Sequence, residues 1–122
     1  YIKFMFNVAI IGGEGLNDYY FCQAKCIACL KNKAESREPI TIFSTGDAFV
    51  YLFSNKFHIN VQYFYTNWRY DGKNALKARN ERLLEKCNAM IVFNDNPKET
   101  RILHDLAKSK GIPVRFFSKP IT

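Results

Sequence analysis

The chain has 122 residues, which is enough for one domain with a single hydrophobic core. Hydrophobic residues make up 48% of it and aromatic residues 16%, so the composition excludes an intrinsically disordered chain. No apolar run approaches the roughly 20 residues that a membrane-spanning helix needs, and Tyr1 to Phe6 do not look like a signal peptide. The formal net charge of +7 favours anionic partners such as nucleotides, nucleic acid or anionic surfaces, although solubility alone would also account for it.

Strand and helix signals alternate along the chain. Phe6 to Ile11 is a continuous apolar run that ends at Gly12-Gly13, which is typical of a buried parallel strand. Further strands are predicted at Ile40 to Phe43, Ile59 to Tyr65, Ala89 to Phe93 and Pro113 to Phe117. Helices are predicted from Asn17 or Asp18 to about Asn32, from Asp47 to Phe57, from Asn74 to Cys87 and from Lys98 to Lys110, with a loop from Thr66 to Lys73. About five strands joined by helices predict an α/β fold, a three-layer, doubly wound, Rossmann-like parallel sheet in one domain covering residues 1–122.

Three of the four cysteines, Cys22, Cys26 and Cys29, lie in one predicted helix. Their spacing matches the iron–sulfur motif of radical SAM enzymes, but those enzymes need a larger barrel than this chain can build. The same spacing lines one face of a helix, where a free cysteine behaves as a small hydrophobic residue. We therefore predict reduced, buried thiols, no metal and no cofactor, in a cytoplasmic protein.

The helix predicted from Asn74 to Cys87 carries a charged residue within its apolar stripe. Arg79 fills the step between Leu76 and Leu83, and Asn80 flanks it. Spacings of three and four residues place Arg79 on the face that meets the sheet. A guanidinium there must bind a ligand or form an ion pair. The candidate partners for such an ion pair are Glu81, Glu85 and Asp95.

Ligands of doubly wound sheets bind outside the carboxyl ends of the strands. Gly12, Gly13 and Gly15 follow the first strand, where glycines let backbone amides approach a phosphate. No glycine follows three residues after Gly15, so this is not a full dinucleotide fingerprint, and a tight turn remains the alternative. Glu14 argues against a bare phosphate and suits a ribose hydroxyl or a base amine.

Three other strand ends also carry polar, small or basic residues. Ser44-Thr45-Gly46-Asp47 has the composition of an anion-binding turn or of a helix cap, with Ser44 or Thr45 as the capping residue. Asn94 to Thr100 follows the fourth predicted strand, and its first residues are Asn94 and Asp95. The convergence of these segments at one edge predicts a binding site.

The segment Trp68-Arg69-Tyr70-Asp71-Gly72-Lys73 combines aromatic and basic residues. Trp68 and Tyr70 would stack on bases and Lys73 would pair with phosphate, whereas the alternative is a tryptophan folded back onto the core. The ligand-binding residues that we predict are Gly12, Gly13, Glu14, Gly15, Ser44, Thr45, Gly46, Asp47, Trp68, Tyr70, Lys73, Arg79, Asn80, Asn94 and Asp95.

The same positions carry a resemblance to a known group of proteins. The motifs are Val8-Ala9-Ile10-Ile11-Gly12 with Asp18-Tyr19, then Trp68, Tyr70, Gly72 and Lys73, then Arg79-Asn80-Glu81, Ala89-Met90-Ile91-Val92-Phe93, Thr100, Leu106-Ala107, Gly111 and Pro113-Val114. With these motifs the chain resembles the SLOG superfamily, which includes the LOG phosphoribohydrolases and the SMF/DprA proteins, and within it the small YspA-like branch. The resemblance implies a single SLOG-like Rossmann-type domain that binds a nucleotide or nucleotide derivative, with Lys73 and Arg79 near phosphate. The chain departs from the family at Gly13-Glu14, where a serine–arginine pair is usual, and at Ser44 to Asp47, where the family has a longer glycine-rich loop.

These observations favour a cytosolic binding module for a nucleotide or nucleotide-derived ligand, acting as a homo-oligomer and not at a membrane. An enzyme that cleaves an N-glycosidic or phosphoester bond is the first alternative, with Glu14, Asp47 and Glu81 as its candidate acid/base groups. A nucleic-acid-binding protein related to DprA is the second, favoured by the net charge.

Overall fold

Five parallel strands form one sheet in the computed structural model, which describes residues 5–12, 18–93 and 98–118. The strands are β1 (Phe6–Ile11), β2 (Ile40–Ser44), β3 (Asn60–Tyr63), β4 (Ala89–Val92) and β5 (Val114–Phe116). The helices are α1 (Tyr19–Glu35), α2 (Ala48–Phe57), α3 (Trp68–Asp71), α4 (Ala75–Glu85) and α5 (Lys98–Ser109), with a 3₁₀ turn at Gly72–Asn74.

The strand order is β3-β2-β1-β4-β5. From β1 the chain moves outward to β2 and β3, then returns past β1 to add β4 and β5 on the other side. Helices α1 and α2 pack on one face of the sheet, and α4 and α5 pack on the other. This is a doubly wound, Rossmann-like α/β fold, and the predicted fold class is confirmed. The direction of winding reverses between β1 and β4, so the ligand-binding crevice of such folds lies there.

The apolar run of β1 is explained by burial on both faces of the strand. Val8 and Ile10 pack against α1 and α2, whereas Ala9 and Ile11 pack against α4 and α5. Neither face meets water, so every position from Val8 to Ile11 is apolar. The helices contribute Cys22, Cys26, Leu30, Phe49, Val50 and Phe53 on the first face and Leu83, Leu84, Leu103 and Ala107 on the second.

The caps of α1 and α2 are both aspartates. The Asp18 carboxylate accepts a hydrogen bond from Phe21 N at 3.1 Å, which confirms one of the two residues predicted to start α1. Asp47 caps α2 by accepting from Phe49 N at 2.9 Å. The prediction that Ser44 or Thr45 caps this helix is therefore wrong. Ser44 Oγ instead accepts from Gly46 N at 3.0 Å, inside the turn that precedes the cap.

The segment predicted as a loop from Thr66 to Lys73 is largely helical. The Asn67 side chain accepts from Tyr70 N at 3.1 Å and so caps α3. Gly72, with φ of 56° and ψ of −128°, ends α3 after one turn. The 3₁₀ turn then leads directly into α4, so this part of the chain has a defined backbone path.

The cysteines of α1 are not equally buried. Cys22 and Cys26 lie in the core with no exposed surface, but Cys29 is half-buried, so the predicted burial holds for two of the three. None of the four cysteines forms a disulfide. Burial raises the pKa of Cys22 to about 11 and also raises that of Cys26, whereas Arg115 and Lys25 partly offset the increase at Cys29.

Within the described ranges, no helix combines the length and apolar character required to cross a membrane.

We expect these thiols to be alkylated in a defined order. At pH 8 a thiol with a pKa of about 11 is ionised in roughly one molecule in a thousand, and only the thiolate reacts. Native protein treated with iodoacetamide at pH 8 should therefore label Cys29 first and leave Cys22 and Cys26 unlabelled. Peptide mass spectrometry measures the order, and protein unfolded in guanidinium provides the control in which all four thiols react. Labelling of native Cys22 as fast as Cys29 would contradict the buried arrangement.

Candidate functional site

Arg79 lies on the inner face of α4, as the helical spacing predicts. Only 7% of its surface is exposed, and Leu83, one turn further along, is fully buried in the core between α4 and the sheet. Asn80 beside it is also buried. A guanidinium keeps its charge even when it is buried, so this position brings a positive charge next to the sheet.

Arg79 lines a cavity of about 100 Å³ at the carboxyl edge of the sheet. Ile11 is the last residue of β1, Thr45 directly follows β2, and Glu99 and Thr100 belong to the first turn of α5. The cavity therefore lies where the winding of the sheet reverses, which is the expected ligand position in this fold. Its described walls are Ile11, Thr45, Arg79, Glu99, Thr100 and Leu103.

Hydrogen bonding fixes one side of the Arg79 guanidinium. Arg79 Nε donates to Asn80 Oδ1 at 3.0 Å. Among the residues that the structure describes, no carboxylate oxygen lies within 4.0 Å of the guanidinium. Burial lowers the pKa of Arg79, while the negative charge of Glu99 raises it and the nearby Arg82 lowers it.

The alternative prediction, an ion pair between Arg79 and a nearby carboxylate, is therefore wrong for two of its three candidate partners. Glu81 and Glu85 are exposed and form no ion pair with Arg79. Asp95 lies outside the described residues. The carboxylate that does act on Arg79 is that of Glu99, which lines the same cavity. Arg79 and Glu99 thus give the cavity a cationic wall and an anionic wall.

Other predicted site residues have structural roles at the same edge. Gly12 ends β1 with φ of 84°, and Gly46 has φ of 108° in the turn after β2, so both adopt a backbone that favours glycine. Ser44 and Asp47 use their side chains in the turn and in the helix cap. Gly13, Glu14, Gly15, Asn94 and Asp95 lie outside the described residues.

The aromatic and basic part of the predicted site is separate from the cavity. Trp68 is 57% exposed and Tyr70 is 87% exposed, so the alternative of a tryptophan folded onto the core is wrong. Lys73 is exposed as well. None of the three lines the cavity around Arg79. Among the described residues, the predicted site therefore separates into those at the cavity and those exposed on the surface.

Arg82, which was not among the predicted site residues, connects α4 to α3 and to Tyr65. Its Nη1 lies 3.5 Å from Asp71 Oδ2, and its Nη2 donates to the Tyr65 carbonyl at 3.2 Å. Both partners flank or belong to α3, whereas Arg82 stands on α4 one turn after Arg79. Neither contact follows a helical spacing, so only the folded chain reveals them.

Of the acid/base groups considered for an enzyme, the two that the structure describes do not line the cavity. The Asp47 carboxylate caps α2. Glu81 is exposed and lies with Glu85 on the surface between α4 and α5. Glu14 lies outside the described residues. The described arrangement can hold a ligand between Arg79 and Glu99, but it aims neither Asp47 nor Glu81 at that ligand.

Comparisons with known proteins assign the chain to no family. No protein-family model matches the chain, and no curated protein is significantly similar to it. The fold and the cavity define the protein as a Rossmann-like α/β domain with a charged crevice at the carboxyl edge of its sheet. The resemblance to the SLOG superfamily stays a prediction.

We expect Asn80→Ala to lower the free energy of unfolding by about 1–3 kcal/mol. The substitution leaves the buried Nε–H of Arg79 without its acceptor, and an unsatisfied buried donor costs about that much. Asn74→Ala is the matched control, because Asn74 is exposed and its side chain makes no capping hydrogen bond. Urea denaturation of both variants provides the measurement, and equal losses of stability would show that Asn80 does not hold Arg79.

We expect Arg82→Ala to open α3 locally while changing global stability by at most about 1 kcal/mol, as for other exposed ion pairs. Chymotrypsin cleaves after aromatic residues, so faster cleavage at Trp68 or Tyr70 reports the opening. Glu81→Ala, on the same helix and exposed, is the control. Unchanged cleavage in Arg82→Ala would mean that α3 is held by other contacts.

Proposed function

We propose that this chain is a binding module for a nucleotide or nucleotide derivative whose phosphate contacts Arg79 at the carboxyl edge of the sheet. The observation that carries the proposal is the buried Arg79 guanidinium in a cavity, with Asn80 as its hydrogen-bond acceptor and no described carboxylate within 4.0 Å. A buried charge is costly unless it is compensated. A bound anion supplies that compensation and forms charge-assisted hydrogen bonds with the planar guanidinium.

The size of the cavity favours an anionic group over a whole nucleotide inside it. A volume of about 100 Å³ corresponds to about three water molecules at roughly 30 Å³ each. A phosphate group occupies a space of this order, so the sugar and base would lie outside the described walls. Gly12 follows β1 and Gly46 lies in the turn after β2, both at this edge of the sheet. Neither has a side chain, which leaves room there for the sugar and the base.

Glu99 favours a ligand that carries a hydrogen-bond donor as well as an anion. Glu99 lines the cavity with Arg79, and its negative charge, which acts on the guanidinium, would repel a bare phosphate. A ribose hydroxyl or a base amine can instead donate to it. The hydroxyl groups of Thr45 and Thr100 can either donate or accept. A nucleotide supplies both an anion for Arg79 and a hydrogen-bond donor for Glu99, whereas inorganic phosphate supplies only the anion.

The SLOG resemblance supports the same class of ligand, and its phosphate role for Arg79 agrees with this cavity. The four free thiols suit a reducing compartment, so we place the module in the cytoplasm. We further propose that it acts as a homo-oligomer, which light scattering on the purified protein tests.

Titration calorimetry against a panel of nucleotides, nucleosides and inorganic phosphate tests the proposal. We expect the wild-type protein to bind at least one nucleotide, and Arg79→Ala to weaken that binding roughly tenfold to a hundredfold because one charge-assisted contact is lost. Lys108→Ala removes the same charge from an exposed site on α5 and is the control. Thermal melting of each variant separates lost binding from lost folding.

Two results would contradict the proposal. One is the absence of binding by wild-type protein to any nucleotide at millimolar concentration, and the other is equal affinity in folded Arg79→Ala. Glu99→Gln provides a further check on the ligand class. Removing its negative charge should strengthen the binding of inorganic phosphate more than that of the nucleotide.

A further inference from the structure

A groove lies on the face of the sheet that carries α1, between that helix and the edge strand β5. Helices α1 and α2 connect β1 to β2 and β2 to β3, whereas α5, which connects β4 to β5, packs on the other face. Among the described elements, none therefore connects β4 to β5 across the α1 face. The space left there has a volume of about 410 Å³. We call it the α1–β5 groove, and the lining residues that matter here are Phe6, Ala28, Cys29, Ile91, Arg115 and Phe117.

The walls of the α1–β5 groove are mostly apolar. Its floor is formed by neighbouring strands, with Val8 beside Ala89 and Ile91 beside Arg115 in the strand register. Helix α1 forms the wall opposite β5. None of the described lining residues is acidic. Because apolar side chains and a cation line the same groove, it suits a ligand that is apolar over most of its length and negatively charged at one place.

Two cations lie toward the carboxyl end of β5. Lys25 Nζ lies 5.4 Å from the centroid of the Phe117 ring, and Arg115 lines the groove itself. Both positive charges act on Cys29, where they partly offset the rise in pKa that burial causes. Among the residues that the structure describes, no carboxylate oxygen lies within 4.0 Å of either cation.

The opposite end of the groove, where β1 begins, differs in charge. Phe6 lines it, and Lys33 Nζ lies 4.9 Å from the centroid of that ring. Lys33 also pairs with Glu38 at 3.3 Å, so its charge is compensated. The α1–β5 groove therefore has a cationic end at Lys25 and Arg115 and an apolar end at Phe6.

From this polarity we infer that the α1–β5 groove binds a free amphiphilic carboxylate, a medium-chain acyl anion whose carboxylate contacts Lys25 and Arg115 and whose hydrocarbon tail lies toward Phe6. Small-ligand pockets typically have volumes of about 300–1,000 Å³ and orient an apolar ligand with a few polar groups, and this groove matches that description. The planar guanidinium of Arg115 can donate two parallel hydrogen bonds to a carboxylate. An acidic helix of a protein partner fits less well, because its charges repeat along its length and the uncompensated cations lie at one end.

This inference does not rest on the proposed nucleotide site. The α1–β5 groove and Arg79 lie on opposite faces of the sheet. Arg79→Ala should therefore bind the acyl anion as the wild-type protein does. Failure of nucleotide binding and failure of acyl-anion binding are thus separate results.

Titration calorimetry with decanoate, below its micelle concentration, tests the inference. A buried methylene contributes about 0.8 kcal/mol, or about fourfold in affinity, so decanoate should bind roughly tenfold more tightly than octanoate. Decyltrimethylammonium has a tail of the same length and the opposite charge. It should bind roughly tenfold more weakly than decanoate, because Lys25 and Arg115 repel it.

Cys29 reports whether the groove is the place that decanoate occupies. Its thiol is half-buried and lines the groove, so bound decanoate should slow its alkylation by iodoacetamide several-fold. Iodoacetamide is uncharged, so decanoate does not compete with it for the cations. The same concentration of decyltrimethylammonium should leave the alkylation rate close to that of the free protein.

Two substitutions separate the contact with the carboxylate from the contact with the tail. Arg115→Gln should weaken decanoate binding roughly tenfold and reduce the discrimination against decyltrimethylammonium. Arg101→Gln, which removes the same charge from an exposed position on α5, is its control. Ala28→Trp fills the groove from an exposed position and should weaken both ligands, and Ala24→Trp, exposed on the same helix outside the groove, is its control. Thermal melting of each variant confirms that it is folded.

Several outcomes would overturn the inference. One is the absence of decanoate binding by wild-type protein at millimolar concentration, and another is binding that leaves Cys29 alkylation unchanged. Equal affinity in Arg115→Gln and Arg101→Gln would remove the role of the cationic end. Slower Cys29 alkylation at higher protein concentration without ligand would assign the groove to a second copy of the chain. Protection of Cys29 by vesicles of anionic phospholipid but not by decanoate would assign it to a membrane surface, and displacement of decanoate by a tighter-binding acidic helical peptide would assign it to a protein partner.

Discussion

The structure depends on the burial of β1 on every side. This strand pairs with β2 on one edge and β4 on the other, and helices cover both of its faces. A strand in that position must be apolar throughout, and the sheet must grow outward from it in both directions. The reversal of winding beside β1 is what creates the crevice at its carboxyl end. Arg79 reaches that crevice because α4 packs across the neighbouring strands.

Much of the fold could be predicted because it follows from local chemistry. The apolar run from Phe6 to Ile11 indicates a parallel strand, and the spacing around Arg79 places it on an inner helix face. The one-turn helix α3 could not be predicted, because four residues carry no periodicity. Its existence depends on the Asn67 cap and on contacts from Arg82 on the next helix. The prediction that Ser44 or Thr45 caps α2 is wrong for a related reason. Serine and aspartate are both favourable capping residues, and only the geometry of the turn selects Asp47 over Ser44.

The candidate site was predicted as one set, but its described residues do not all meet. Thr45, Arg79 and Asn80 lie at or beside the cavity, whereas Trp68, Tyr70 and Lys73 are exposed and do not line it. Sequence reasoning assigns residues to the same edge of a sheet but carries no information about distances along that edge. Cys29 shows the same limit, because a helix stripe predicts a face and not how far the covering sheet extends across it.

Helix α4 serves two different neighbourhoods at this edge of the sheet. Arg79 on its inner side lines the cavity, and one turn later Arg82 contacts both the Tyr65 carbonyl and the Asp71 carboxylate. A single exposed side chain therefore tethers α3 and the segment before it to the helix that carries Arg79. Substitution of Arg82 removes both tethers at once and leaves every described residue of the cavity wall unchanged.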